Sequence, residues 1–173
     1  MVKGGPAVRR VYFDRVLGRL APARAALSVE YGAAVAQRNA ALRRIAAGFS
    51  SREALAPWTE QVAELGAALV TGREEVVATL EPGFAAQAAA FGLDGAVLLY
   101  EGEPPTVEAL EERYERDLDR GSTGLGPHLD DVAILAERIA RRGQTLVTST
   151  TAAALPTEPD QLLEVAPGRV ESR

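Results

Sequence analysis

Leu55, Trp58, Val62, Leu65, Leu69 and Val76 recur three and four residues apart, and Gly72 occupies one further position of the same series. The spacing predicts a long α-helix with a heptad-like seam over roughly three repeats. A seam of this width needs a second apolar surface, and the short turn before it makes the preceding helix the obvious antiparallel partner. That partner is expected from about residue 23 to residue 47, with Leu27, Tyr31, Val35, Leu42 and Ile45 inward and Arg38 interrupting the stripe. Arg38 or its neighbour Asn39 is expected either to make a specific contact or to fill a local packing gap. Gly48-Phe49-Ser50-Ser51 reads as a helix stop followed by a serine N-cap. Trp58 reads as core, and Pro82-Gly83 is expected to end the long helix before a short alanine-rich one over residues 84–91.

The remaining chain divides by the same rules. Pro6 suits the first turn of a helix, and Val8, Val11, Tyr12, Val16 and Leu20 form its expected apolar stripe, with Arg9, Arg10 and Arg19 off it. Residues 96–100 read as a strand between turns. Residues 106–119 read as a helix capped by Thr106, with Val107, Leu110, Tyr114 and Leu118 inward. Glu108, Glu111, Glu112, Glu115 and Asp117 are expected on its solvated face, paired internally with Arg113 and Arg116. Val132 to Arg142 is expected as a helix, Gln144 to Thr148 as a buried strand, and residues 162–165 and 169–171 as a hairpin about Pro167-Gly168. The expected class is a helix-dominated α+β chain: an antiparallel helical hairpin arm with a few short strands.

Composition excludes several classes. No apolar run reaches the roughly 18 residues of a membrane span, and the start, Met-Val-Lys-Gly-Gly-Pro, lacks the apolar stretch of a secretory signal. With no cysteine there is no disulfide, which fits a reducing compartment and a cytoplasmic reading. The net charge of −5 hides an asymmetry. Residues 1–50 hold nine cations (Lys3, Arg9, Arg10, Arg15, Arg19, Arg24, Arg38, Arg43 and Arg44) against Asp14 and Glu30, a net of +7, so the rest carries −12. A basic half on an acidic chain is either a phosphate-binding face or a set of solvated helix faces.

Polar chemistry gathers in Gly121 to Val132, spelled Gly-Ser-Thr-Gly-Leu-Gly-Pro-His-Leu-Asp-Asp-Val. Glycine and proline make this backbone bent, and it is expected to be exposed. The loop holds the only histidine, His128, beside Asp130 and Asp131. The plain reading is a solvated turn in which one aspartate caps the next helix. A metal site would want further ligands, and the chain offers neither cysteine nor a second histidine. A hydrolase built on His128, Asp130 and Asp131 would lack a marked nucleophile.

The spelling carries more. Gly126-Pro127-His128-Leu129-Asp130-Asp131 resembles the GPHRDD motif of the RecF family of bacterial recombinational-repair ATPases. Two further segments follow the family's order: Gly4-Gly5-Pro6 with Arg9-Arg10 and Phe13-Asp14 resembles its G-x-P-x-x-R-R-x-F-L-D segment, and Gln37-Arg38-Asn39 with Leu42-Arg43 resembles its Q-R-N-x-L-L-(K/R) segment. The resemblance covers about residues 2–131. It implies a DNA replication and repair role at gapped single-strand/double-strand DNA, RecO- and RecR-type mediators that load RecA, a homodimer, and ATP with magnesium in full-length members. It divides the chain into a mainly helical arm, residues 1–119, and a remnant of the ATPase head, residues 120–173. Arg9, Arg10, Arg15, Arg38, Arg43 and Arg44 are the candidate DNA-binding residues.

Departures from the family pattern matter equally. The phosphate loop G-x-x-x-x-G-K-[ST] is not spelled in this chain, whose only lysine is Lys3. Residues 144–150 resemble the strand after the family's Walker B region, yet they follow the GPHLDD segment closely, and the serine-rich signature is not spelled between them. The expectation is an N-terminally truncated and internally deleted form that binds no cofactor and hydrolyses no ATP by itself. Leu129 stands where the family has arginine, which removes a cation. A second reading makes the Leu55–Val76 seam a self-association surface in a helical interaction module with no nucleotide or DNA role.

Overall fold

The structure is a computed structural model, and it describes residues 5–93, 95–136, 163–166 and 169–172. Three helices form the frame: α1 (Pro6–Leu20), α2 (Leu27–Ala46) and α3 (Ala56–Ala90). Single 3₁₀ turns, Pro22–Arg24 and Arg52–Leu55, lead into α2 and α3. The short strand β1 (Ala96–Glu101) precedes α4 (Val107–Glu112) and α5 (Tyr114–Arg120), and a loop then leads to β2 (Asp131–Ala136). β1 and β2 pair antiparallel, with Tyr100 opposite Val132 and Glu101 opposite Asp131. The strands β3 (Leu163–Ala166) and β4 (Arg169–Ser172) make a separate antiparallel pair, the expected terminal hairpin. Among the described residues no helix is long and apolar enough to cross a membrane.

The seam closes within the chain. Val62, Leu69 and Val76 are buried together with Leu27, Tyr31 and Val35 of α2, with Leu65 at their partly buried margin, and Leu55 is buried with Ala41 and Leu42 of α2, with Trp58 at the margin. With its seam covered inside one chain, α3 has no Leu55–Val76 stripe left for self-association. Three helices stop by one device. Gly48, Gly92 and Gly121 adopt positive φ after α2, α3 and α5. In each case the next N–H reaches back five residues (Phe49 to the Arg44 carbonyl, Leu93 to Ala88, Ser122 to Asp117) while the glycine N–H reaches the carbonyl three residues back. That is the Schellman motif, open at low cost only to glycine.

Four expectations change. First, α3 runs through Pro82 to Ala90 instead of ending there. Proline forfeits one backbone bond and crowds the preceding turn, but Leu80, Phe84 and Ala88 on either side keep contact with the core. Second, residues 131–136 form a strand rather than the start of a helix. A short apolar run satisfies either period, and the open edge of β1 decides it; the rest of that expected helix and the strand expected at 144–148 lie outside the described residues. Third, the helix expected over residues 106–119 breaks at Arg113, although Thr106 caps it as expected by accepting the Ala109 N–H at 3.1 Å.

The fourth change concerns α1. Its buried residues are Phe13 and Leu17, whereas Val8, Val11, Tyr12 and Leu20 of the expected stripe face solvent. The inward face is the one that carries Arg9, Arg10 and Asp14, each bonded to another part of the fold. Specific polar partners have outcompeted simple apolar patterning here.

If the seam holds the molecule together from inside, Leu69→Ala should cost about 2–5 kcal/mol, because a 1% exposed side chain leaves a cavity. Urea denaturation reads this directly; a midpoint within error of wild type contradicts the assignment.

Candidate functional site

The 121–132 loop lies between α2, α3 and α1, and four of its residues, Thr123, Gly126, Pro127 and Val132, are buried. The expectation of an exposed loop is therefore overturned. Burial obliges its backbone groups to find partners inside the protein, and the helices supply them.

The deepest partner is Arg38 of α2, fully buried. Its Nη1 donates to Asp117 Oδ2 at 2.7 Å and to Thr123 Oγ1 at 2.9 Å. Longer bonds run from Nε to Thr59 Oγ1 and from Nη2 to the Leu110 carbonyl, both 3.3 Å. Asp117 is also fully buried, so it does not sit on the solvated acidic face expected for it. Its Oδ1 accepts the Gly124 N–H at 3.0 Å. Asn39, next to Arg38, accepts from both the N–H and the hydroxyl of Thr123 at 2.7 and 2.8 Å. The pair Arg38-Asn39 thus reads the loop backbone and its one buried hydroxyl.

His128 forms a second tie. Its Nε2 lies 3.1 Å from the Thr123 carbonyl and its Nδ1 lies 2.8 Å from the Tyr31 hydroxyl. A carbonyl only accepts, so Nε2 carries the proton and Nδ1 receives the Tyr31 O–H. Burial pushes the His128 pKa below its ordinary 6.5; the Thr123 carbonyl opposes the shift and Arg10 adds to it. Burial likewise pushes the Tyr31 phenol up. Gly126 permits the close approach. Its φ is 123°, and a Cβ there would lie 2.4 Å from the Tyr31 hydroxyl.

The third group of ties clamps the end of the loop. Arg73 of α3, itself buried, holds both Asp14 oxygens at 2.8 and 3.0 Å and donates to the Pro127 carbonyl at 2.6 Å. Arg10 donates to the Asp130 carbonyl at 2.7 Å, and the Tyr100 hydroxyl to Asp130 Oδ2 at 2.5 Å. Arg9 grips Asp131 in bidentate fashion at 2.8 and 2.5 Å. Burial pushes Asp131 up, but Arg9 and the Val132 N–H outweigh it and hold the carboxyl below its usual range.

The three motif segments therefore converge on one bonded unit: Arg9, Arg10 and Asp14 from the first, Arg38 and Asn39 from the second, and the GPHLDD loop as the third. Comparison with known proteins gives the same reading. No family model matches the chain. The DNA replication and repair protein RecF of Frankia alni is 33% identical over 83% of this chain and 44% of its own length. The RecF of Geobacter sulfurreducens is 36% identical over 82% of this chain and 41% of its own length. The chain belongs to the RecF family. It spans about two fifths of the length of the curated relatives it matches. A solved structure of the recombination mediator protein RecF with ATP, of the RecFOR pathway, superposes with a TM-score of 0.70 at 23% identity over 78% of this chain and 40% of that one, and so shares the fold.

Not every RecF-motif residue sits where a nucleic-acid face would need it. Arg38 is sealed inside and cannot reach a phosphate, which removes it from the expected DNA-binding set. Arg9 and Arg10 are half-buried clamps on Asp131 and Asp130. Arg15, Arg43 and Arg44 are exposed, with Arg43 donating to the Gly121 carbonyl at 3.2 Å. Leu129, at the RecF arginine position, is exposed. The described residues present no phosphate-loop lysine and no free N–H nest at this turn. They include no lysine, and the glycine-rich turn spends its Thr123 and Gly124 N–H groups on Asn39 and Asp117 instead of presenting them outward as a phosphate nest.

Tyr31, Asp117, Thr123 and Arg73 are site residues that sequence reasoning missed. Arg73 carried a usable signal: it lies four residues after Leu69 and three before Val76, interrupting the α3 stripe as Arg38 interrupts that of α2. Asp117 carried none, since it lies among surface acids of the same type.

Two outcomes follow. Asp117→Ala should cost about 3–5 kcal/mol by leaving Arg38 buried without its counter-charge, and Asp117→Ala combined with Arg38→Met should recover part of it; equal urea midpoints for Asp117→Ala and wild type would refute the buried pair. For His128 the folded pKa lies below the unfolded value of about 6.5, so its stabilising effect is complete above that pH and is lost as pH falls toward the folded value. The stability difference between wild type and His128→Gln should therefore shrink from pH 7.5 to 5.5, and a difference constant with pH would rule out a buried neutral ring.

Proposed function

We propose that this chain is the arm-and-loop part of a RecF-type DNA replication and repair protein, acting at gapped single-strand/double-strand DNA. The observation that carries this reading is the convergence of the three RecF-type segments on one polar unit, in a chain 33% and 36% identical to RecF proteins. The helical arm, residues 1–119, supplies the frame, and residues 120–173 supply the loop and strands that belong with an ATPase head. RecO- and RecR-type mediators, loading of RecA and a cytoplasmic setting follow from the same reading. So do homodimerisation and the use of ATP with magnesium by full-length members. In this chain alone the described residues offer no phosphate cradle, so nucleotide chemistry is assigned to the wider assembly.

The part left for DNA is the exposed cations. Arg43 and Arg44 lie in the last turn of α2, where positive charge also suits the helix dipole. Cations that meet phosphates release counterions, so affinity for gapped duplex should fall with salt by about 0.9 log units per log unit of salt for each phosphate. Replacing Arg43 and Arg44 together by glutamine should flatten that slope by about 1–2 units for every sequence alike, since phosphate contacts carry no base information. Filter binding between low and moderate salt measures this. Identical affinity and slope for the two proteins would remove these arginines from the DNA face.

A further inference from the structure

We infer that the groove between α1 and the start of α2 docks an acidic amphipathic helix of a partner protein. The inference does not rest on the DNA reading. The groove measures about 470 Å³, and its lining includes Val11, Arg15, Gly18, Arg19, Ala25 and Val29. Its floor is where the two elements meet: a Cβ on Gly18 would lie 3.2 Å from Ala25 Cα, so small residues set the depth. Its walls are apolar and open, Val11 being 48% and Val29 73% exposed. Val8 and Tyr12, 56% and 41% exposed, extend the apolar strip along α1. This is the strip that sequence periodicity marks as a helix contact face, and the fold leaves it outward.

Charge selects the occupant. Asp14 lines the same groove, but its carboxylate is held by Arg73 on the inner side. Arg15 and Arg19 therefore set the sign of the rim. They stand one helical turn apart, and neither has an ion-pair partner among the described residues. Two cations one turn apart beside two valines match leucines flanked by glutamates at the same spacing on a docked helix. A DNA backbone would satisfy the arginines and gain nothing from the valines, whereas an apolar peptide face gains from removing both from water.

The test uses the full chain and a fluorescein-labelled synthetic helix with leucines three and four residues apart and glutamates one turn apart. A second peptide has lysine at each glutamate. Anisotropy should show saturable binding of the glutamate peptide and at least tenfold weaker binding of the lysine peptide. Val29→Asp should weaken the glutamate peptide at least tenfold. Arg15→Glu with Arg19→Glu should reverse the preference between the two peptides. These side chains are exposed, so circular dichroism should show the helices intact in each variant; the charge reversal needs no loss of function to be read. Equal binding of the two peptides, or of neither, overturns the proposal. So does a gapped duplex that competes for the groove and binds Val29→Asp as well as wild type, which would make the arginines a phosphate site. A dimer in sedimentation that Val29→Asp converts to monomer would assign the groove to a second copy of this chain instead.

Discussion

The Arg38–Asp117 ion pair is the contact on which the rest of the fold depends. Both side chains are fully buried and 2.7 Å apart. Taking two charges out of water costs several kcal/mol per ion, and their attraction recovers this only when the remaining polar atoms are also bonded. Here Thr59, Leu110 and Thr123 complete Arg38, and Gly124 completes Asp117. The pair and its completing groups together come from α2, α3, α4, α5 and the loop. No one of these elements can move away without stranding a charge. Removing one partner of such a pair is therefore costly, whereas replacing both by well-packed apolar residues is often nearly neutral.

From that pair outward, the GPHLDD loop is held as a structural part and not as a free active-site loop. Asn39 accepts from Thr123, the Thr123 carbonyl fixes the His128 tautomer and Tyr31 donates to its other nitrogen, and Arg73 joins Pro127 to Asp14. Arg9 and Arg10 close the end where the loop becomes β2. His128 and the two aspartates are thereby bonded to the protein's own groups. The basic residues divide the same way: those nearest the loop are ties, Arg43 reaches the Gly121 carbonyl from an exposed position, and Arg44 and Arg15 face water.

This division explains why RecF-type segments so far apart in the chain belong together. An arginine pair on α1 and an Arg-Asn pair on α2 address opposite ends of one loop. Their spacing in sequence reflects the helices that carry them. The chain spans about two fifths of the length of the relatives it matches.

Much of the frame was legible because it depends on local periodicity. The α3 seam, its pairing with α2, the Gly48 stop, the Thr106 cap, β1 and the terminal hairpin all follow from spacing and turn chemistry. The motif spelling also identified the loop and the residues at its edges. Three things were decided only in three dimensions. The buried face of α1 was set by partners for Arg9, Arg10 and Asp14, which lie on the loop and on α3 more than 50 residues away. The strand at Asp131–Ala136 was set by an open edge on β1, against a pattern that either period accommodates. Asp117 was set apart from its neighbouring acids by Arg38, 79 residues earlier. Sequence alone determines where apolar surface must be covered, because hydrophobic burial is non-directional and follows composition along one face. Which charges go inside is decided by the tertiary structure, because a buried charge depends on a partner at a particular distance and angle, and that partner is chosen by the fold.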